Sequence, residues 1–285
     1  MNKPRTYPEG VTCWVDIEVA DIEAATRFYG DLFDWTFIEA QPSSEHRYLI
    51  AQLDGQDAAG IGQPSTTNIP PVAAWNTYVA VKDINQAADR LQAAGGRIIE
   101  PPSNLAVLSL SKGALTASCA DIVGIPFRLW QARGRHGAQV ANAPGAWNFS
   151  DLHTADPETA AAFYARVFGW RFDDLGFATM IRLPGYGDHL AATSDPGIHE
   201  RQSGDEVPPS FADAFGWLVT AQDGEQPHWH VTFTVADRDN FASAAERLGA
   251  VVLSTTDTEW TRDAEIRDPQ GAVFTASQYS PPSAL

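Results

Sequence analysis

The strongest constraint on the fold is an internal duplication of the chain. The segment from Trp14 to Phe37 recurs at a constant offset of 135 residues as the segment from Phe149 to Phe172. A second pair of segments, beginning at Trp75 and Trp229, matches at an offset of 154, and a third, beginning at Asp121 and Asp268, matches at 147. Repetition of this kind is typical of chains that use one supersecondary unit several times. The sequence therefore predicts two related halves, each made of two units.

Each unit shows the same order of local patterns. It opens with alternating β-branched and aromatic residues, continues with an Asp suited to cap a helix (Asp21, Asp83, Asp156 and Asp237), and then places apolar residues at helical spacing. Short alternating runs follow at residues 35–39, 47–53 and 58–62 in the first unit and at 171–173, 178–183 and 190–193 in the third. The prediction is an α+β fold built from four βαβββ modules.

These modules define two tandem domains. The first is expected at residues 8–131 and the second at 146–280, with a Gly- and Ala-rich linker at 132–145 and an insertion at 195–227. Loops this long are commonly functional lids, and the aromatic run at 211–219 predicts a partly ordered cover over a cavity. The Gly185-Tyr186-Gly187 sequence is interpreted as a hairpin turn.

Charge and composition limit the kinds of binding partner and the cellular location expected for the protein. The formal net charge of −17 repels nucleic acid and anionic lipid, but it attracts cationic ligands. No apolar run approaches the roughly 20 residues of a membrane span, and residues 1–10 lack the apolar core of a signal peptide, so a cytoplasmic location is expected. Both cysteines, Cys13 and Cys119, lie in apolar runs and are predicted to be buried reduced thiols.

The repeated motifs resemble those of the vicinal oxygen chelate superfamily, which includes glyoxalases, bleomycin resistance proteins and dioxygenases, and especially its two-domain actinobacterial glyoxalase-like or "hydroxylase" members. The marks are the Asp-x-x-x-x-x-x-Phe-Tyr helix starts at Asp21 and Asp156, the Trp-x-x-x-x-x-Val-x-Asp runs from Trp75 and Trp229, and the turn of residues 268–271. The resemblance implies that each domain curls its strands into a cup that holds a metal or a ligand. It also implies a monomer with internal pseudo-dimer symmetry or a weak homodimer.

The same resemblance implies metal ligands at six positions, and in this chain most of these positions hold residues that do not bind metals. They correspond to Trp14, Asn76 and Arg128 in the first half and to Phe149, His230 and Thr275 in the second, of which only His230 is a ligand type. A catalytic metal usually needs three protein ligands, so neither a metal nor another cofactor is expected. A substitute set of Asp151, His153 and His189 stays open, with His189 on a predicted neighbouring strand.

Strand alternation predicts which side chains point into each cup. The first cup is expected to be lined by Trp14, Asp16, Glu18, Asn76, Tyr78 and Arg128, and the second by Phe149, Asp151, His153, His230, Thr232 and Thr275, with His189 and Trp217 nearby. Four tryptophans at repeat positions (Trp35, Trp75, Trp170 and Trp229) are interpreted as fold residues, which leaves Trp14, Trp217 and Trp260 available for other roles.

Aromatic walls with sparse polar groups are typical of small-molecule pockets. The leading hypothesis is metal-independent binding of a planar aromatic, possibly cationic natural product in the second cup, for antibiotic self-resistance or as an auxiliary of antibiotic biosynthesis. The alternative is a metal-free isomerase, lyase, cyclase or hydroxylase-like enzyme that uses His230 and His153 as acid and base. A third possibility is a structural protein with filled cups, to which occluded pockets would point.

Overall fold

The computed structural model describes residues 4–41, 47–63, 73–105, 113–176, 178–204 and 207–281. The helices are α1 (Ile22–Phe33), α2 (Ile84–Ala93), α3 (Pro157–Phe168), α4 (Tyr186–Thr193), α5 (Ile198–Arg201) and α6 (Arg238–Arg247). The strands are β1 (Thr12–Glu18), β2 (Thr36–Gln41), β3 (Tyr48–Leu53), β4 (Gln56–Gly62), β5 (Ala74–Ala80), β6 (Arg97–Leu105), β7 (Ala114–Ala120), β8 (Pro126–Ala132), β9 (Trp147–Thr154), β10 (Arg171–Asp174), β11 (Thr179–Arg182), β12 (Ala214–Thr220), β13 (His228–Thr234), β14 (Val251–Asp257), β15 (Thr261–Arg267) and β16 (Val273–Tyr279).

Within the described residues these strands form two eight-stranded sheets. The orders are β2-β3-β4-β1-β5-β8-β7-β6 and β10-β11-β12-β9-β13-β16-β15-β14, so the two sheets have the same topology. In each module the first strand pairs in parallel with the last, as β1 does with β4 and β9 with β12. The predicted fold class, four βαβββ modules in two tandem domains, is confirmed.

The four long helices begin where the sequence predicts. Each predicted capping Asp accepts a hydrogen bond from a backbone N–H of the first turn, as Asp21 does from Ala24 and Asp156 from Thr159. The apolar face of α1 is buried throughout, from Ile22 to Phe33. Local propensity and burial therefore select the same four helices.

The third module departs from the prediction after β11. The strand expected at 190–193 is wrong, because these residues end helix α4, and the Gly185-Tyr186-Gly187 sequence is a helix start rather than a hairpin turn. Gly185 adopts a φ of 87°, which a glycine reaches without steric cost and which turns the chain from β11 into α4. The missing strand is instead β12, which lies inside the predicted insertion. Most of the run at 211–219 is thus part of the sheet and not a cover over it.

By its internal contacts the chain divides into two compact units. One comprises the described residues of Met1–Trp14, Thr77–Gln139 and Ser150–Trp229, and the other those of Val15–Asn76, Val140–Phe149 and His230–Leu285. Each unit thus combines modules from both halves of the sequence. The domain boundaries at 8–131 and 146–280 stay a prediction from the sequence.

Each unit has its own aromatic core at the repeated positions. In the first, Tyr164 stacks on Trp170 with ring centroids 4.6 Å apart. In the second, Phe33 stacks on Trp35 at 4.7 Å. Trp75 and Trp229 are also buried, at 6% and 4% exposure. These four tryptophans are fold residues, as predicted.

The two cysteines are buried, and the helices are those of a protein without a described membrane span. Cys13 and Cys119 are free and buried, and burial raises the pKa of the Cys119 thiol to about 12. Among the helices of the described residues, none has the length and apolarity that a bilayer crossing requires. The thiol prediction is confirmed.

Candidate functional site

The polar residues predicted for the first cup bond to one another. Asp16 has no solvent exposure, and its carboxylate accepts hydrogen bonds from the Tyr48 hydroxyl and the Asn76 amide, each at 2.9 Å. Tyr48 was not predicted, because it lies on β3, where alternation gives no sign that its hydroxyl reaches β1. Glu18 is half-buried at the end of β1.

Aromatic packing buries a second group of first-cup residues. Arg128 donates to the Tyr78 hydroxyl at 2.9 Å, with its guanidinium carbon 5.6 Å from the Tyr78 ring centroid. Tyr78 meets Trp130 edge to face at 5.6 Å, and Trp14 lies 5.6 Å from the same Trp130 ring. The three rings are 1% exposed or less. This packing is that of a filled interior, with Trp130 as a member that was not predicted.

A glycine permits the closure around Asp16. Gly60 pairs with Asp16 across β1 and β4, and a Cβ atom at Gly60 would lie 2.0 Å from the Tyr48 hydroxyl oxygen. The absence of a side chain at this position therefore makes room for the Tyr48–Asp16 hydrogen bond.

The corresponding positions of the second half are more open. Phe149, Asp151 and His153 on β9 are all half-buried, and they alternate with buried Ser150 and Leu152. They occupy the positions of Trp14, Asp16 and Glu18 in the duplication, of which the first two are closed to solvent.

Trp217 takes the place that Gly60 has in the first half. Leu218 pairs with Leu152 across β9 and β12, which sets Trp217 beside Asp151, and the Trp217 backbone N–H donates to the Asp151 carboxylate at 3.0 Å. The Trp217 side chain is half-buried, and its ring lies 6.2 Å from that of Phe211. We call the half-buried surface of Asp151, His153, Trp217 and Val219 the β9–β12 face. The sequence suggested that Trp217 belongs to a lid, but it is a strand residue of β12.

His153 belongs to a cluster that the sequence did not predict. Its Nδ1 lies 2.5 Å from Oε1 of Glu225, and Nδ1 of His228 lies 3.8 Å from the same oxygen. The imidazole rings of His153 and His228 have centroids 4.8 Å apart. Glu225 lies in the turn between β12 and β13, where only a spatial contact links it to β9.

The electrostatics of Glu225 reflect these neighbours. Partial burial opposes ionisation, but the Gln222 backbone N–H, which donates to Oε2 at 2.8 Å, and the two imidazoles together hold the pKa of Glu225 below its ordinary value. A carboxylate bonded to an imidazole orients the ring and stabilises its protonated form. The pair can therefore hold or move a proton.

His230 is buried and lies within hydrogen-bond distance of a threonine. Its Nε2 lies 2.8 Å from the Thr275 hydroxyl, the residue is 7% exposed, and Thr232 on the same strand is 9% exposed. The structure thus brings His230 and Thr275 together, as strand alternation predicts, with a hydroxyl at Nε2.

His189 lies on α4 and not on a strand, which corrects the prediction. Its Nε2 is 2.8 Å from the Thr6 carbonyl oxygen and 3.2 Å from the Thr6 hydroxyl. Among the His, Cys and acidic side chains of the described residues, the group spaced to hold a metal ion is His153, Glu225 and His228. The substitute set with Asp151 and His189 is therefore not the one that the fold assembles.

Comparison with known proteins adds family information to this geometry. Residues 13–106 match the model of the Glyoxalase/Bleomycin resistance protein/Dioxygenase superfamily, and residues 149–277 match a Glyoxalase-like domain. A Mycobacterium tuberculosis protein named "Putative glyoxylase CFP32" is 30% identical over 99% of both chains. The anthracycline biosynthesis protein DnrV of Streptomyces peucetius is 28% identical over 94% of this chain and 93% of its own length.

Solved structures support the same fold. The Mn(II)-bound glyoxalase of Novosphingobium aromaticivorans superposes with a TM-score of 0.60 at 14% identity, covering 95% of this chain and 82% of the other. At this identity the likeness concerns the fold alone. The matches to the two family models and the 30% identical relative that spans the chain show that the chain belongs to the glyoxalase/bleomycin resistance protein/dioxygenase superfamily, the vicinal oxygen chelate proteins.

Proposed function

We propose that this protein binds a planar aromatic small molecule on the β9–β12 face, in the biosynthesis of an aromatic natural product or in protection against it. The observation that carries the proposal is the contrast between duplicated positions. Asp16 is closed over by Tyr48, whereas Asp151 and the indole of Trp217 stay half-buried. The first set of residues fills its own interior, and the second leaves an aromatic surface beside an acid.

The chemistry of the face favours a flat, positively charged ligand. An indole ring stacks on planar π-systems, and aromatic pairs contribute about 0.5–1.5 kcal/mol beyond the area that they bury. Asp151 lies next to Trp217, and the whole chain carries a formal charge of −17. This field raises the local concentration of cations.

The relatives support the same ligand class. DnrV is named an anthracycline biosynthesis protein, and anthracyclines are planar polycyclic aromatic compounds. CFP32 carries a glyoxylase name, so the test must also detect a chemical reaction.

The test is a fluorescence titration of the purified protein in EDTA with a cationic aminoacridine and an anionic anthraquinone sulfonate. We expect saturable quenching by the cation, weaker affinity for the anion, and a loss of affinity for the cation as salt is added. Trp217→Ala should weaken binding by about 2- to 13-fold, which corresponds to the ~0.5–1.5 kcal/mol of an aromatic pair.

Trp260→Ala is the matched control. Trp260 is a half-buried indole that stacks on Tyr279 at 6.4 Å, outside the β9–β12 face. Equal affinity of the two variants, or no saturable quenching by any compound, would overturn the proposal. Mass spectrometry of the recovered ligand separates binding from catalysis, because an altered product would favour the enzymatic alternative.

A further inference from the structure

Three residues from separate places in the sequence meet at one end of β9. His153 is the penultimate residue of β9, His228 opens β13, and Glu225 lies in the preceding turn. Two imidazoles and one carboxylate form the ligand set of many zinc and non-haem iron sites. We infer that His153, Glu225 and His228 bind a divalent transition-metal ion, with Zn²⁺ as the reference ion.

The spacing of the ligand atoms fits such an ion after small movements. Ligands held at about 2.0–2.2 Å from a tetrahedral zinc lie roughly 3.3–3.6 Å from one another. Here the Glu225 Oε1 atom is 2.5 Å from His153 Nδ1 and 3.8 Å from His228 Nδ1, and one ligand atom from each residue lies within 4.8 Å of the others. These separations lie within about 1.5 Å of those in a tetrahedral zinc site.

The second carboxylate oxygen is held in place by the backbone. The Gln222 N–H donates to Glu225 Oε2 at 2.8 Å, which leaves Oε1 directed at the imidazoles. Hydrogen bonds of this kind orient metal-binding carboxylates, and their loss typically costs about 10–100-fold in metal affinity. The side chains are 20%, 25% and 40% exposed for His153, Glu225 and His228, so an ion can reach them from solvent.

The site is distinct from the one that the superfamily resemblance implies. That resemblance assigns ligands at Phe149, His230 and Thr275, and none of these is in the triad. Nitrogen donors favour zinc, cobalt, nickel and iron over the hard ions magnesium and calcium. Metal binding and aromatic binding can be tested separately, because the metal titration needs no aromatic compound and the aromatic titration contains EDTA.

The backbone also orients one imidazole of the cluster. His228 Nδ1 lies 2.9 Å from the Gln226 carbonyl oxygen. Hydrogen bonds from ring nitrogens to backbone carbonyls fix the orientation of metal-binding histidines.

The experiment is a titration of the chelator-treated full chain with Zn²⁺ by competition against a chromophoric chelator, followed by Co²⁺ titration with visible spectroscopy. We expect one ion per chain. Glu225→Gln and His228→Gln should each lower Zn²⁺ affinity by more than tenfold, since each removes a direct ligand.

His199→Gln is the matched control. His199 forms an exposed pair with Asp188, with Nε2 and Oδ1 3.0 Å apart, and it should retain the parental affinity. Far-ultraviolet circular dichroism of each variant establishes that it is folded. The inference is overturned if the parental chain binds no stoichiometric Zn²⁺ or Co²⁺, or if the folded Glu225 and His228 variants bind as tightly as the His199 variant. In either case the cluster is an ion pair only.

Discussion

Replacing Tyr29 by Phe removes one hydroxyl from the core of the second unit and leaves the packing volume nearly unchanged. The Tyr29 hydroxyl donates to Oδ2 of Asp268 at 2.7 Å, and the two residues are 0% and 5% exposed. The other oxygen, Oδ1, accepts from the backbone N–H groups of Gln270 and Ala272, each at 2.8 Å. The variant therefore tests what one donor contributes to a buried carboxylate.

The expected magnitude depends on the charge of Asp268. A hydrogen bond to a charged group contributes about 1.5–3 kcal/mol and a neutral one about 0.5–1.5 kcal/mol. Burial raises the pKa of Asp268 and outweighs the hydrogen bonds, which lower that pKa. The hydrogen bond from Tyr29 lowers it more than any of the others. Because the folded pKa lies above the unfolded value, ionisation of Asp268 weakens the fold as the pH rises through the folded pKa. Tyr29→Phe should raise that pKa further, so its cost should be larger at neutral pH than in acid.

The assay is urea unfolding of the parental chain and the variant at about pH 7 and about pH 4. We expect a loss of about 1.5–3 kcal/mol in the free energy of unfolding at neutral pH and about half of that in acid. Tyr279→Phe, at a residue that is 65% exposed, is the control and should change stability by less than about 0.5 kcal/mol. Equal losses at both pH values would refute the assignment of a charged acceptor.

Three further perturbations follow from the described contacts. Gly216→Ala places a Cβ atom 2.5 Å from the Ser150 carbonyl oxygen, so β9 and β12 must separate; thermal unfolding should show a loss of about 1–3 kcal/mol, and aromatic quenching should weaken. Arg238→Lys replaces a guanidinium that is 5% exposed and donates to two aspartates and a carbonyl, which an ammonium cannot match, so a loss of about 1–2 kcal/mol is expected in urea unfolding. Glu225→Gln in EDTA should lower the free energy of unfolding by less than about 1 kcal/mol. Because the folded state lowers the pKa of Glu225, this difference from the parental chain should be present above about pH 4.3 and should vanish as the pH falls through the folded pKa. A pH-independent difference would contradict this sign.

The two halves show how a duplicated fold diverges at the positions that line its cups. Both retain the capped helices and the aromatic cores, which the fold needs in order to bury its apolar faces. At the paired positions across the first and last strands of a module, one half has Gly60 and the other has Trp217. In the first half Tyr48 closes over Asp16, whereas Asp151 and Trp217 of the second half are half-buried.

Sequence alone determined the modules, their order, the helix starts and the roles of the repeated tryptophans, because these depend on local periodicity, capping and self-similarity. Tertiary structure decided what these patterns do not encode. The strand that completes the third module comes from the predicted insertion, because it pairs with residues of β9 that lie 66 positions earlier in the chain. Glu225 and His228 join His153 only through the turn between β12 and β13, and Tyr48 reaches Asp16 only because Gly60 leaves space for its hydroxyl. Contacts between distant residues depend on sheet register and on the volume of neighbouring side chains, and neither quantity is written in the local pattern of residues.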